Sequence, residues 1–382
     1  MKTFNRILTY VITALLSATL TLTLVVPRFP GGSKLDQIEA LILSRFIGEA
    51  DSAAMEDAAA SAMVYSLGDR WSYYLNAEDY AAHQEESANA YVGIGVTIQP
   101  SEDGRGFQVI SVQENSSAMQ AGVQLGDVII SADGQRVEGM TTSQLRSIIR
   151  GKEGTTVRLG LLRDGQELEL EIVRANILVD VVTSRMLEGG IGLIAIANFD
   201  SRCASESIAA IESLREDGAQ ALIFDVRNNP GGYAHELVEL LDYLLPEGDL
   251  FRTVDYTGKE EVDRSDAAFL DMPMAVLCNG ESYSAAEFFA AAIQEYGAGT
   301  VVGTPTCGKG YFQYTFEFRD GSAIGLSVGK YFTPNGVSLA GVGITPDVPV
   351  EVDNDTAMAI LSGSLEPEND PQIQAAMEVL SD

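Results

Sequence analysis

Between residues 157 and 172 apolar and polar positions alternate in two mirrored runs. Val157, Leu159 and Leu161 precede Asp164-Gly165, and Leu168, Leu170 and Ile172 follow it. An apolar residue at every second position puts one strand face into a core, and Asp-Gly supplies a positive-φ turn, so the pattern predicts a hairpin. A different period precedes it. In TTSQLRSIIRG, Leu145, Ile148 and Ile149 fall on one helical face, and Gly151 is available to end the helix. With the strand-like runs that begin at Tyr91, these elements predict an α+β module over residues 91–175.

The flanking patterns differ from it and from each other. Over residues 34–90, Leu35, Ile38, Leu41 and Ile42, then Met55, Ala59 and Met63, recur at helical spacing and predict a small helical region. From Gly190 the apolar runs Ile191–Ile196, Ala221–Val226, Ala275–Cys278 and Thr300–Val302 alternate with helical stretches at Ser205–Glu216, Ala234–Leu245 and Ser284–Glu295. That alternation predicts an α/β core over residues 176–351. Tyr311–Phe318 and Ser322–Val328, joined by Asp320-Gly321, make its last part β-rich. Residues 352–382 read as an acidic linker and a helix at Gln372–Leu380.

At the other end, Ile7 to Val26 carry no charge and follow Lys2 and Arg6. About 20 apolar residues cross ~30 Å of hydrocarbon. The following Val-Val-Pro-Arg-Phe has no small-x-small cleavage pattern. Residues 1–33 are therefore expected to be a cytoplasmic stub and an uncleaved transmembrane anchor, with its positive end inside. The rest of the chain would lie on the extracytoplasmic side of the cell membrane, or be secreted if the anchor is cut.

Composition narrows the chemistry. With 24 Lys and Arg against 55 Asp and Glu in 382 residues, the net charge of −31 excludes a sequence-independent nucleic-acid binder. Three cysteines cannot form a disulfide scaffold, no metal-ligand spacing such as CxxC or HExxH occurs, and only two histidines are available. No cofactor or metal is implied. His83 sits in an acidic helical tract and His235 near a helix start, both expected at the surface. Cys278 and Cys307 are expected to be free thiols.

Three elements suit a nucleophile that works without histidine. Ser284 opens a helical run after the strand AVLCN, where free backbone N–H groups and the positive helix end would lie beside its hydroxyl. Ser282 is an equally good cap by pattern. Asn229-Pro230-Gly231-Gly232 is a strand-to-helix turn whose glycines let backbone N–H groups face a ligand. Lys309, between Gly308 and Gly310, precedes Tyr311-Phe312-Gln313. A buried, neutral lysine can act as general base for a serine hydroxyl, and Gln313 is placed to orient it if the segment is extended.

At these residues the chain resembles the carboxyl-terminal processing peptidases, or tail-specific proteases, which are serine–lysine endopeptidases with a PDZ domain. The motifs occur in chain order: SLGDRWSYYL at Ser66–Leu75, YVGIGV at Tyr91–Val96, AGVQLGDVI at Ala121–Ile129 and IIRGKEGT at Ile148–Thr155. DVRNNPGG at Asp225–Gly232, SYSAAE at Ser282–Glu287, CGKGYFQ at Cys307–Gln313, YFTPNG at Tyr331–Gly336 and GVGITPD at Gly341–Asp347 follow. The resemblance implies a protease core of mixed sheets and helices with a crotonase-like fold, joined to a PDZ domain. It implies Ser284 as nucleophile, Lys309 as base and Gln313 as its positioning partner. The oxyanion hole would combine the Ala285 N–H with Gly231 or Gly232, and sequence does not choose between them. Glu281, Tyr283 and Cys307 depart from the family pattern around the pocket.

The same resemblance makes Gly93-Ile94-Gly95-Val96 a loop for a substrate C-terminus, with the peptide added as a strand. Arg150 is a candidate contact between this module and the core, with a solvated helix-end arginine as the alternative. The expected partners are proteins or peptides with accessible C-termini, the membrane through the anchor, and a second copy of the chain through the helices at Leu35–Phe46 and Gln372–Leu380. The competing expectation is a catalytically inactive PDZ scaffold that binds protein C-termini.

Overall fold

The computed structural model describes residues 32–381. The expected anchor, Ile7–Val26, lies outside them, and among the described residues no helix is long and apolar enough to cross a membrane. The chain divides into two units, one running to Asn76 and taking in Thr315–Gly325, the other comprising Ala77–Tyr314 and Leu326–Asp382.

In the first unit the helices Lys34–Arg45 and Ser52–Tyr65 appear where the apolar spacing predicts them, each N-capped by an oxygen side chain, Ser33 or Asp51. The stretch is not helical throughout. Tyr73–Leu75 is a strand, paired antiparallel with Ala323–Gly325. Gly325 is required there, because a Cβ at this position would meet the Tyr73 ring at 2.3 Å.

The second unit contains the predicted hairpin. Thr156–Arg163 and Gln166–Val173 pair with Leu159 opposite Leu170 and Leu161 opposite Leu168, and Asp164 and Gly165 take positive φ. Val96–Pro100, Phe107–Val112 and Val128–Ala132 complete the sheet, in the order first, second, third, then the hairpin. Leu145 and Ile149 of the helix Thr142–Ile149 pack into its core with Val109, Ile129 and Leu159. That helix does not use Gly151 as its cap. Arg150 is already extended, and the buried Arg174 guanidinium takes the Ile148 and Ile149 carbonyls, each at 2.8 Å, which ends the helix by side-chain capping.

The largest mainly parallel sheet runs Val182–Leu187, Ile191–Ile196, Ala221–Asp225, Met274–Cys278, Gly299–Gly303 and Val348–Pro349. Only the first pair is antiparallel. Its inner strands are buried on both faces, as parallel strands must be. Leu222, Phe224 and Val276 face the helices Cys203–Glu216, Ala234–Leu244 and Ala285–Glu295. Ile223, Ala275 and Leu277 face the opposite side, where Ile373 and Ala376 of the helix Pro371–Ser381 cover them.

Two patterns were invisible in the sequence. The edge strand Val182–Leu187 and the hairpin Gly248–Asp255 with Glu260–Ser265 are partly exposed, and the polar and charged residues scattered through them dilute their apolar signal. The acidic linker is also more than a linker. It holds the helix Asn354–Leu361, capped by Asp353, whose carboxylate accepts from the Thr356 N–H at 2.8 Å.

Candidate active site

Ser284 stands between the strand Met274–Cys278 and the helix Ala285–Glu295 with φ 58° and ψ −126°, a strained conformation for a residue with a Cβ. The strain is sustained by packing, since every residue from Ala285 to Ile293 is buried. Ser284 itself is 4% exposed. Ser282, its equal by sequence, serves the turn instead. Its hydroxyl donates to the Val226 carbonyl at 2.6 Å and accepts from the Asn279 N–H at 3.0 Å.

The ring of Tyr331 packs against Phe251, Phe288 and Phe312 at centroid distances of 5.0, 5.2 and 5.3 Å. Phe288 is one helical turn beyond Ser284, so the Tyr331 ring lies beside the start of that helix. Burial raises the Tyr331 hydroxyl well above its ordinary value and keeps it protonated.

A buried carboxylate organises the neighbourhood. Glu287 Oε2 accepts from the backbone N–H of Ser284 at 3.0 Å and of Lys309 at 2.8 Å. Its Oε1 accepts from the Thr306 hydroxyl at 2.6 Å and the Gly308 N–H at 2.7 Å. The Ser284 turn and the Lys309 segment are thus held on one oxygen atom, although 25 residues separate them in the chain. Burial raises the Glu287 carboxyl and the four donors oppose it, with burial ahead. The sequence shows this residue only as a capping-box glutamate three positions after a serine. That it also binds the Lys309 segment has no local signal.

Lys309 precedes the strand Tyr311–Glu317, so strand alternation does not set its direction. It is half-buried, and its ammonium lies 6.0 Å from the Tyr283 ring centroid. The expected alternation does hold within the strand, where Phe312 is buried while Tyr311 and Gln313 are half-buried. The Gln313 amide nitrogen donates to the Tyr311 carbonyl at 3.1 Å and the Ser327 hydroxyl at 3.0 Å.

The glycine turn is rigid. Asn229 is fully buried, donates to the Ile196 carbonyl at 2.8 Å, and accepts the Gly231 N–H at 2.8 Å. A Cβ on Gly231 would stand 2.7 Å from the Ser284 Cβ and 2.8 Å from the Ala285 nitrogen, so this turn lies directly against the nucleophile. With the Gly231 N–H occupied, Gly232 and Ala285 supply the turn's N–H groups that have no partner among the described residues. Gly232 has φ 152°, and a Cβ there would meet Phe199 backbone at 2.2 Å.

The second predicted site is a groove of about 340 Å³ between Gly93–Ile98 and the helix that carries Arg146 and Ile149. The Ile94 and Gly95 carbonyls accept from the Ala118 and Gln113 N–H groups at 2.9 and 3.0 Å. Their own N–H groups have no partner among the described residues. Arg150 lines the groove, lies 4.5 Å from the Tyr91 ring centroid and pairs with Glu85 at 3.1 Å.

Of the remaining chemistry-bearing residues, Cys307 adjoins the Ser284 site, its N–H donating to the Ser282 carbonyl at 3.2 Å. His235 is largely exposed and stacks on Tyr233 at 5.3 Å, whereas His83 is half-buried rather than exposed. Cys203, Cys278 and Cys307 form no disulfide, and burial pushes the Cys278 thiol up to about 12.

Comparisons with known proteins match two separate stretches of the chain. A model described as Peptidase family S41 matches residues 190–350, and one described as PDZ domain matches residues 92–173. The Bacillus subtilis carboxy-terminal processing protease CtpA is 34% identical over 328 residues, covering 84% of this chain and 70% of that protein. A Staphylococcus haemolyticus protein named "Probable CtpA-like serine protease" is also 34% identical, over 305 residues, 78% of this chain and 60% of its own length. Among solved structures, a Bacteroides fragilis protein assigned to the S41 proteases superposes with a TM-score of 0.55 at 17% identity, over 93% of this chain and 98% of that one. That likeness concerns the fold alone.

Proposed function

The chain belongs to the carboxy-terminal processing protease family and is a serine peptidase with a PDZ domain, and we propose that it hydrolyses peptide bonds through a Ser284–Lys309 acyl-enzyme. Ser284 Oγ attacks the scissile carbonyl while a neutral Lys309 takes its proton, and the tetrahedral oxygen is received by the Gly232 and Ala285 N–H groups. Collapse expels the amine, which takes the proton from Lys309. Lys309 then removes a proton from water for deacylation. The Ile94 and Gly95 N–H groups hold the substrate's terminal carboxylate as its last residues add a strand along Val96–Pro100.

The observation that carries this reading is the Glu287 carboxylate, which binds the Ser284 and Lys309 backbones on one oxygen beside two N–H groups that have no partner among the described residues. The test is cleavage of an unfolded protein and of peptides with free or amidated C-termini. Ser284→Ala and Lys309→Ala should each abolish turnover, amidation should weaken it, and the wild-type rate should rise with pH as the amine loses its proton. Peptide binding without cleavage at any pH would select the scaffold alternative.

Two further parts of the proposal concern placement. The catalytic part lies outside the cytoplasm on the Ile7–Val26 anchor, which added protease on intact cells would test. Self-association uses the helix Lys34–Arg45, which buries none of its residues and leaves Leu35, Ile38 and Leu43 open. Sedimentation of wild type against a Leu35→Glu, Ile38→Glu variant tests it.

A further inference from the structure

The family model over the catalytic region ends at residue 350, yet two side chains beyond it reach the turn that carries the oxyanion glycines. Arg227 stands at the foot of that turn, two residues past the end of the strand Ala221–Asp225, and is buried. Its Nε and Nη2 donate to the two oxygens of Asp225 at 2.9 and 2.6 Å, a bidentate pair. Its Nη1 points the other way, into the C-terminal segment. There it meets Asp370 Oδ2 at 2.8 Å and Gln372 Oε1 at 2.9 Å.

Both acceptors are fixed in turn. Asp370 Oδ1 accepts from the Gln372 and Ile373 N–H groups at 2.9 and 3.3 Å, at the start of the helix Pro371–Ser381. Gln372 Nε2 donates to the Val350 carbonyl at 2.8 Å. Asp370 and Gln372 are 2% and 1% exposed, so water cannot substitute for either. Burial alone would lower the Arg227 guanidinium, but Asp225 and Asp370 raise it further, and it stays charged.

The turn above Arg227 needs such an anchor. Asn228 takes φ 57° and Gly231 and Gly232 take 87° and 152°, so three of the next five residues sit outside the ordinary backbone regions. On the far side Asn228 exchanges two 3.0 Å hydrogen bonds with Asn279. Its middle is tied by the Asn229 side chain to the Ile196 carbonyl, and its start is tethered by Arg227.

We propose that Asp370 and Gln372 are positioning residues of the active site: by completing the hydrogen bonds of Arg227 they hold residues 227–232 so that the Gly232 N–H faces the tetrahedral intermediate. The C-terminal helix is thereby part of the catalytic apparatus as well as a cover for the sheet. This rests on the proposed role of Gly232.

The test uses the full-length chain with Asp370→Asn and Gln372→Ala. The single oxygen of an asparagine cannot both cap the helix and accept from Arg227, while the side-chain volume is kept. Three quantities are read per active site, titrated with a fluorophosphonate: kcat and KM on an unfolded protein, and the affinity of a peptide aldehyde whose hemiacetal oxygen occupies the oxyanion position. Asp370→Asn should lower kcat about ten-fold, less than the loss expected from removing an oxyanion donor outright. KM should be unchanged, and aldehyde affinity should fall by the same factor as kcat. Gln372→Ala should show the same split at smaller size, and it carries the test if Asp370→Asn does not fold. Unchanged kcat and aldehyde affinity per titrated site, whatever the melting temperature, would overturn the proposal and leave the segment a structural cover. A wild type that cleaves nothing would overturn the proposed function and this inference together, whereas an active wild type matched by both variants overturns this inference alone.

Discussion

The two turns proposed to present backbone N–H groups to an oxygen anion are built to different standards. The loop Gly93–Val96 has its Ile94 and Gly95 carbonyls pinned, and it opens onto a groove whose helix wall carries an exposed Arg146. The turn Asn229–Gly232 is held by a fully buried asparagine, an exchange of bonds with Asn279, and a buried guanidinium tied to two segments. The difference follows from the ligand. A chain terminus carries a full charge in the ground state and binds at equilibrium, so a loop that adjusts by a few tenths of an ångström still holds it. A tetrahedral oxygen exists only near the transition state, and donors accelerate the reaction only if they are aimed before it forms.

The largest effect should come from damaging the rigid turn. Gly232→Ala puts a Cβ against the Phe199 backbone at a φ that side chains avoid, and should lower kcat by about 10²–10³ while tail-peptide affinity is retained. Steady-state kinetics beside a peptide-binding isotherm separates the two. Next comes Glu287→Gln. It replaces one carboxylate oxygen by an amide that cannot accept from its donors, so stability should drop by about 3 kcal/mol in a denaturant titration and kcat by about ten-fold or more.

The adjustable loop should respond less and in the opposite sense. Gly95 has φ 80°, and a Cβ there would meet the Ser116 Cβ at 2.4 Å. Gly95→Ala should weaken binding of free-C-terminal peptides about ten-fold, the cost of a left-handed residue with a side chain, and leave cleavage of amidated peptides unchanged. Equal losses on both substrates would erase the distinction between the turns.

The smallest effect is a pH dependence beside the rigid turn. Asp200 lies where a Cβ on Gly232 would come within 2.6 Å of its backbone nitrogen. Burial first, then the charges of Glu236 and Glu86, push its carboxyl up to about 7. Between roughly pH 4 and that value the folded chain holds a proton that the unfolded chain has released, so this group favours folding at low pH and its contribution is lost as pH rises through about 7. Asp200→Asn should therefore match wild type in melting temperature near pH 4 and exceed it by about 2 °C or more at pH 8.

How far such features could be read without coordinates depended on the distance over which they are determined. The hairpin register, Leu159 opposite Leu170, follows from alternation and one Asp-Gly turn. Four parallel strands announced themselves as short apolar runs because they are buried on both faces. Ser282 and Ser284 remained equivalent until Ser282 was seen bonded to Val226, 56 residues away. Gly231 and Gly232 remained equivalent until the Asn229 side chain occupied one of them. The linker that hides Asp370 looked acidic and nothing more, because its partner Arg227 lies 143 residues earlier in the chain.

Local sequence was enough to read the period of each element and the residue types that chemistry requires: a serine before a helix, a lysine between glycines, paired glycines after a strand. Those depend on neighbours a few positions away, where backbone geometry is set locally. Only the tertiary structure decided which serine is strained, which glycine keeps its N–H open and which carboxylates hold the turns. Each of those is settled by a hydrogen bond between residues far apart in the chain, and burial makes such a bond obligatory because no water can replace it.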